Sequence, residues 1–150
     1  MKNLKNISFF LVIAFAMTAI GNFLDSDFLF TYLQTNIIGL LITLLAINTA
    51  TSGLIASKIQ DFVIQKPEID FSSTIKEMKT SLLEQIILII ISVVCLIIQN
   101  SQKIKFDFKD DICNTLLITV FIYAIDILWD TGKAVFVIIE EIQKMKNKEN

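Results

Sequence analysis

"LLEQIILIIISVVCLII", residues 82–98, runs for seventeen positions with one charge, Glu84. It shows none of the apolar/polar alternation that a barrel strand needs, so its backbone polar groups can be satisfied inside an apolar medium only as a helix. A helix of that length is within a residue or two of the ~20 that cross a hydrocarbon core of ~30 Å. Three further segments read the same way: Ile7 to Leu24, Phe28 to about Ser57, and Ile112 to about Trp129. With 54% hydrophobic residues and a mean hydropathy of +0.67 over 150 residues, the chain is more apolar than a water-soluble domain of this size. The expected fold class is an all-α membrane protein with four transmembrane helices forming one domain over 1–150.

The first segment has some features of a secretion signal, with Lys2 and Lys5 ahead of an apolar run and Ala14-Phe15-Ala16 near its end. The next apolar run follows within four residues, which suits a tight membrane hairpin, and we read the segment as a retained helix. Lysines then set the expected orientation, because cytoplasmic flanks retain positive charge. Lys2 and Lys5 precede the first helix. Lys58, Lys66, Lys76 and Lys79 lie between the second and third, and Lys133, Lys144, Lys146 and Lys148 lie at and beyond the end of the fourth. The turn "GNFLDSDF", residues 21–28, carries Asp25 and Asp27 and no lysine. Lys103, Lys105 and Lys109 are balanced by Asp107, Asp110 and Asp111. Both termini are therefore expected in the cytoplasm, in an N-in/C-in arrangement.

The helical pattern does not stop where a bilayer would. No breaker interrupts the second helix before Pro67, so it is expected to run from Phe28 to about Ile64, roughly 55 Å. The third is expected to start at Thr74-Ile75-Lys76-Glu77, a capping box in which the threonine and glutamate side chains each satisfy an orphan backbone N–H, and to continue to about residue 99 or 100. The fourth is expected to span 112–130 and extend to about 146. Helices 2, 3 and 4 would then form a short stalk under the membrane. In "KIKFDFKDD", residues 103–111, Ile104, Phe106 and Phe108 alternate with charged residues. That pattern fits either a strand pairing with a copy of itself or an extended loop on the headgroups.

Polar residues inside the apolar segments are the candidate functional positions. "AIDILWDTGKAVF", residues 124–136, places Asp126, Asp130 and Lys133 in a greasy stretch. With Thr119 and Tyr123 they share one helical face at alternating spacings of 4 and 3. Charges at membrane depth cost a few kcal/mol on insertion scales, so such a stripe should face a bundle interior, a partner or water. Two readings stand. The stripe lines an ion or water path, or it is a packing feature in which Asp130 pairs with Lys133 and Asp126 bonds to Tyr123, Thr119 or a neighbouring helix. On the second helix, Asn36 and Thr43 share one face and Asn48 and Ser52 another, in the manner of small and amide residues that hold membrane helices together. Glu84 and Gln85 open the apolar part of the third helix, and Glu84 reads as an interfacial charge. Glu140, Glu141 and Lys144 on the last helical extension form a solvated face suited to docking a cytoplasmic partner, with Glu140 and Lys144 spaced for an i,i+4 pair.

All 13 positive charges are lysine, and arginine and histidine are absent. That removes imidazole bases, histidine-built zinc sites and the arginine forks that grip phosphate. A net charge of −2 gives no electrostatic reason for nucleic acid. Cys95 and Cys113 lack CxxC spacing and read as small apolar fillers. No GxSxG, phosphate-binding glycine loop or HExxH is present, so no catalysis, cofactor or metal is expected.

In layout the chain resembles the small membrane subunits of bacterial anti-phage defence systems, of the type of the membrane component of the Kiwa system. The resemblance rests on the minimal outer turn "NFLDSDFLF", the long "NIIGLLITLLAINTATSGLIASKIQDF" helix and "FSSTIKEMKTSLLEQIILI" re-entering the membrane. It carries no diagnostic motif, and no functional residue is transferred from it. It implies a homo-oligomeric platform in the bacterial inner membrane whose inner face docks a soluble cytoplasmic protein and which responds to envelope disturbance. The expectation is a scaffold or sensor that self-associates through helices 2 and 4. The alternative is a homo-oligomeric ion channel or pore-forming effector, with a holin-like protein third.

Overall fold

A computed structural model describes residues 2–65 and 70–147 of the chain, with side chains over 6–64 and 70–140. The described residues form four helices and no strand: α1 (Lys2–Phe23), α2 (Phe28–Gln65), α3 (Ser72–Asn100) and α4 (Lys109–Asn147). Each contains a stretch long and apolar enough to cross a membrane. At about 1.5 Å per residue, the 38 residues of α2 and the 39 of α4 measure close to 57 Å and 58 Å.

α1 ends in a Schellman motif. Ser26 N–H reaches Gly21 C=O at 3.0 Å and Asp25 N–H reaches Asn22 C=O at 3.3 Å, with Asp25 in the left-handed region at φ 49°. The Phe30 ring lies so close to Gly21 that an added Cβ would come within 2.7 Å of it. Gly21 therefore sets how tightly the α1–α2 hairpin closes.

The start of α3 differs from the expected one. The helix begins at Ser72, so Thr74 to Glu77 fall inside its first turns and do not cap it. Asp70 supplies the terminal acceptor: its carboxylate takes hydrogen bonds from the backbone N–H and the hydroxyl of Ser72. Those two bonds hold the Asp70 carboxyl below the ordinary carboxylate range.

Of the two readings of residues 103–111, the single chain shows the loop and no strand. A lone strand has nothing to pair with in a four-helix chain, and the segment bends back on itself instead. Ser101 Oγ accepts from the N–H groups of Lys103 and Ile104, both at 3.3 Å. Lys109 Nζ reaches Ser101 C=O at 3.2 Å. Phe108 stands at φ 64°, an unusual value for a bulky residue, at the point where the loop turns into α4.

The helices run up, down, up and down. The α1–α2 turn and the α3–α4 loop lie at one end, here the hairpin end. The first residues of α1 and α3 and the later part of α4 meet at the other, the terminal end. α4 packs against each of the other three, and α2 also packs on α3. Half of the membrane-length stretch of α4 is buried, against 17–22% for the others, which identifies α4 as the central helix. α1 lies antiparallel along it in strict step: Asn22 bonds Asp111 at 2.9 Å, Thr18 and Thr115 meet at 3.0 Å one turn on, and Phe10 packs against the Tyr123 ring two turns further. The apolar core gathers Leu33, Ile37 and Leu41 of α2, Leu88 of α3, and Leu117 and Ile118 of α4.

α3 has its polarity reversed relative to a helix of a water-soluble bundle. Its inward face reads Ser81, Gln85, Leu88, Ser92, Cys95 and Gln99 at spacings of 4, 3, 4, 3 and 4, so that Leu88 is its single large apolar residue. Its outward face carries Ile86, Ile87, Ile90, Val94 and Ile97, all exposed. Exposed branched aliphatics around a polar inner seam are the arrangement a hydrocarbon surround favours.

Candidate functional site

The inner seam of α3 organises two polar layers. Near the hairpin end, Asn114 Oδ1 of α4 accepts from Gln34 Nε2 of α2 at 3.1 Å and from Gln99 Nε2 of α3 at 3.0 Å. One acceptor thus ties three helices together. Cys95 Sγ donates to Cys113 C=O at 3.5 Å a turn away, so both thiols sit buried in the seam as fillers.

Toward the terminal end, Asn48 Nδ2 of α2 donates to Ser81 Oγ and to Gln85 Oε1 of α3, each at 2.9 Å. Ser81 also meets Thr131 of α4 at 3.3 Å. Beside this layer the ends of α3 and α4 separate into an open groove of about 510 Å³, lined by Glu77, Ser81, Glu84, Tyr123, Asp126 and Asp130 among others. Tyr123 Oη donates to Glu84 Oε2 at 2.9 Å across it. Among the described residues its wall carries one cation, Lys76, and four carboxylates.

The stripe Thr119, Tyr123, Asp126, Asp130, Lys133 divides accordingly. Tyr123, Asp126 and Asp130 face the groove. Thr119 is buried and donates to Thr115 C=O of its own helix at 2.7 Å, so it does not line the groove. Asp130 pairs with Lys133 at 3.0 Å on an exposed surface, and Lys133 Nζ also sits 5.2 Å from the centre of the exposed Trp129 ring. Tyr123 takes Glu84 as its partner, not Asp126, because the α3 carboxylate lies within reach across the groove. Asp126 has no hydrogen-bond partner among the described residues.

The two faces of α2 also part. Asn48 and Ser52 are buried against α3. Asn36 and Thr43 face outward and bond to their own helix, at Tyr32 C=O and Gly39 C=O. They begin an outward file of small and polar residues, Asn36, Gly39, Thr43, Ala46, Ala50, Gly53 and Ser57, at alternating spacings of 3 and 4. A Cβ added at Gly39 or Gly53 would meet no atom within 4 Å. Glu140 is exposed, while the side chains of Glu141 and Lys144 lie outside the described residues. Sequence reasoning missed Asn114, Gln99, Ser81 and Thr131; the signal for Gln99 and Ser81 was the 3-and-4 recurrence of polar residues on α3, which requires polar partners opposite, here Asn114 and Thr131 of α4.

Fold and site together define an all-helical chain with four helices compatible with a multi-pass membrane protein, carrying an acidic groove at one end. Compared with known family models, characterised proteins and solved structures, the chain matches none.

Proposed function

We propose that the chain is a non-catalytic scaffold or sensor of the bacterial inner membrane, self-associating, with both termini in the cytoplasm, that anchors a soluble cytoplasmic partner in anti-phage defence or the response to envelope stress. The observation that carries this reading is length. α2 and α4 are each about twice the ~30 Å hydrocarbon core, leaving several helical turns on the terminal side that a membrane span does not need. Lys58, Lys76, Lys79 and Lys133 lie at that end, in keeping with a cytoplasmic side. The outward file on α2 supports self-association there, since glycine, alanine and threonine allow close backbone approach between membrane helices. Of the two helices expected to self-associate, 2 and 4, α2 offers the larger free face, since half of the membrane-length stretch of α4 is buried within its own chain. The layout resemblance to defence-system membrane subunits favours the same role.

The test is a mild-detergent pull-down from native cells, followed by deletion of residues 137–150. A stoichiometric soluble companion that the deletion releases, with the membrane assembly intact, is the expected result. Assembly lost together with binding counts against the proposal.

The acidic groove favours a second reading, a cation-conducting oligomer in which Asp126 and Asp130 attract cations at the mouth. Asp126→Asn would then lower conductance in planar bilayers, and an unchanged conductance removes Asp126 from the path. A holin-like role leaves the long extensions without a use.

A further inference from the structure

We infer that the groove continues inward as a water-filled vestibule that reaches Gln85 and Asn48 and is closed by Leu88. This inference holds for either functional reading. It starts from three of the four buried polar atoms that find no protein partner among the described residues, Asn48 Oδ1, Gln85 Nε2 and Ser52 Oγ, on residues 0%, 2% and 5% exposed; the fourth, Gln99 Oε1, lies at the hairpin end. Both N–H groups of the Asn48 amide are used, one on Ser81 and one on Gln85, so its carbonyl oxygen has nothing left opposite it. Turning both amides over exchanges donors for acceptors and leaves as many groups unpaired. An amide stranded in an apolar interior carries the full cost of its lost hydration, and a cavity with two to four polar partners is the setting in which buried water persists.

The groove gives that water a route. Ser81 Oγ lines the groove and at the same time accepts from Asn48, so one hydrogen bond separates the wall of the groove from the buried amides. The carboxylates of Glu77, Glu84, Asp126 and Asp130 keep the mouth hydrated. One turn further along the same face of α3, Leu88 is buried in the apolar cluster that also holds Leu41 and Leu117. Beyond it Ser92 is satisfied by Leu88 C=O at 3.0 Å and needs no water. The seam is therefore wet up to Gln85 and dry at Leu88 and Ser92, while Gln99 Oε1, also without a protein partner, belongs to the separate layer at the hairpin end.

Water-edited solid-state NMR on the full-length ¹⁵N-labelled protein in lipid bilayers tests this, reading how fast water magnetisation reaches each nitrogen; Gln85→Met identifies the Gln85 side-chain signal by its loss. The expected result is a Gln85 amide that builds up at a rate comparable to Gln102 in the exposed α3–α4 loop, and several-fold faster than the backbone amides of Leu88 and Ser92. A Gln85 amide as slow as Leu88 and Ser92 overturns the vestibule. Equally fast build-up at Ser92 overturns the closure at Leu88.

Discussion

The two polar layers on α3 use the same kinds of residue to opposite effect. At the hairpin end one acceptor, Asn114 Oδ1, collects donors from α2 and α3 and fixes both to the central helix. At the terminal end one donor group, Asn48 Nδ2, is spread over two acceptors that both belong to α3, and α4 joins only through the longer Ser81–Thr131 contact. The first layer gathers three helices on one acceptor and leaves only Gln99 Oε1 over, whereas the second centres on α2 and α3 and leaves Asn48 Oδ1 and Gln85 Nε2 over. What separates a pin from a vestibule is which helix holds the shared atom.

The comparison breaks or sharpens under one substitution made at both layers. Asn114→Leu strands the Gln34 and Gln99 amides and should cost about 2 kcal/mol in reversible denaturant unfolding from bicelles. Asn48→Leu removes an unpartnered carbonyl along with its two bonds, and should cost no more than about 0.5 kcal/mol in the same assay. Equal costs would erase the distinction, and a larger cost at Asn48 would invert it. The smallest effect concerns the terminal end outside the apolar spans. Because the folded Asp70 carboxyl titrates below its ordinary value of 3.8, its contribution is fully present above that pH and is lost as the pH falls through the folded value. Protection factors, with the intrinsic pH dependence of exchange divided out, should therefore fall at Ser72 to Ile75 on acidification below pH 3.8 while that of Asn114 stays unchanged.

The helices were legible in the sequence because each carries an apolar run near bilayer length, and Pro67 marked where the second had to stop. The boundary of α3 was misplaced by two residues because an exposed Asp70 two positions before Ser72 did the terminal work that the Thr74–Glu77 spacing seemed suited to. The alternation at 104–108 had the period of a strand but no neighbour to pair with, a fact that lies outside the segment itself. The Asp130–Lys133 pair could be anticipated from spacing along one helix. The Tyr123–Glu84 bond and the Asn114 pin could not, since each depends on which helices become neighbours. Nothing in the apolar pattern singled out α4 as central: its run looks like the others, and only the outward turn of the aliphatics on α3 shows which faces were left for its neighbours.

The central position of α4 also has a meaning in time. Translation delivers the helices in order, so the one that contacts the other three leaves the ribosome after them. Until it is inserted, Thr18 lacks Thr115, Gln34 and Gln99 lack Asn114, and Glu84 lacks Tyr123, while α2 and α3 already share the Asn48 bonds. If the chain spans a membrane as proposed, the portion before α4 would hold an α2–α3 pair and an α1 whose polar faces are still open. The fourth helix would then supply the partners for all of these faces, and a chain cut short before residue 109 would leave them without α4.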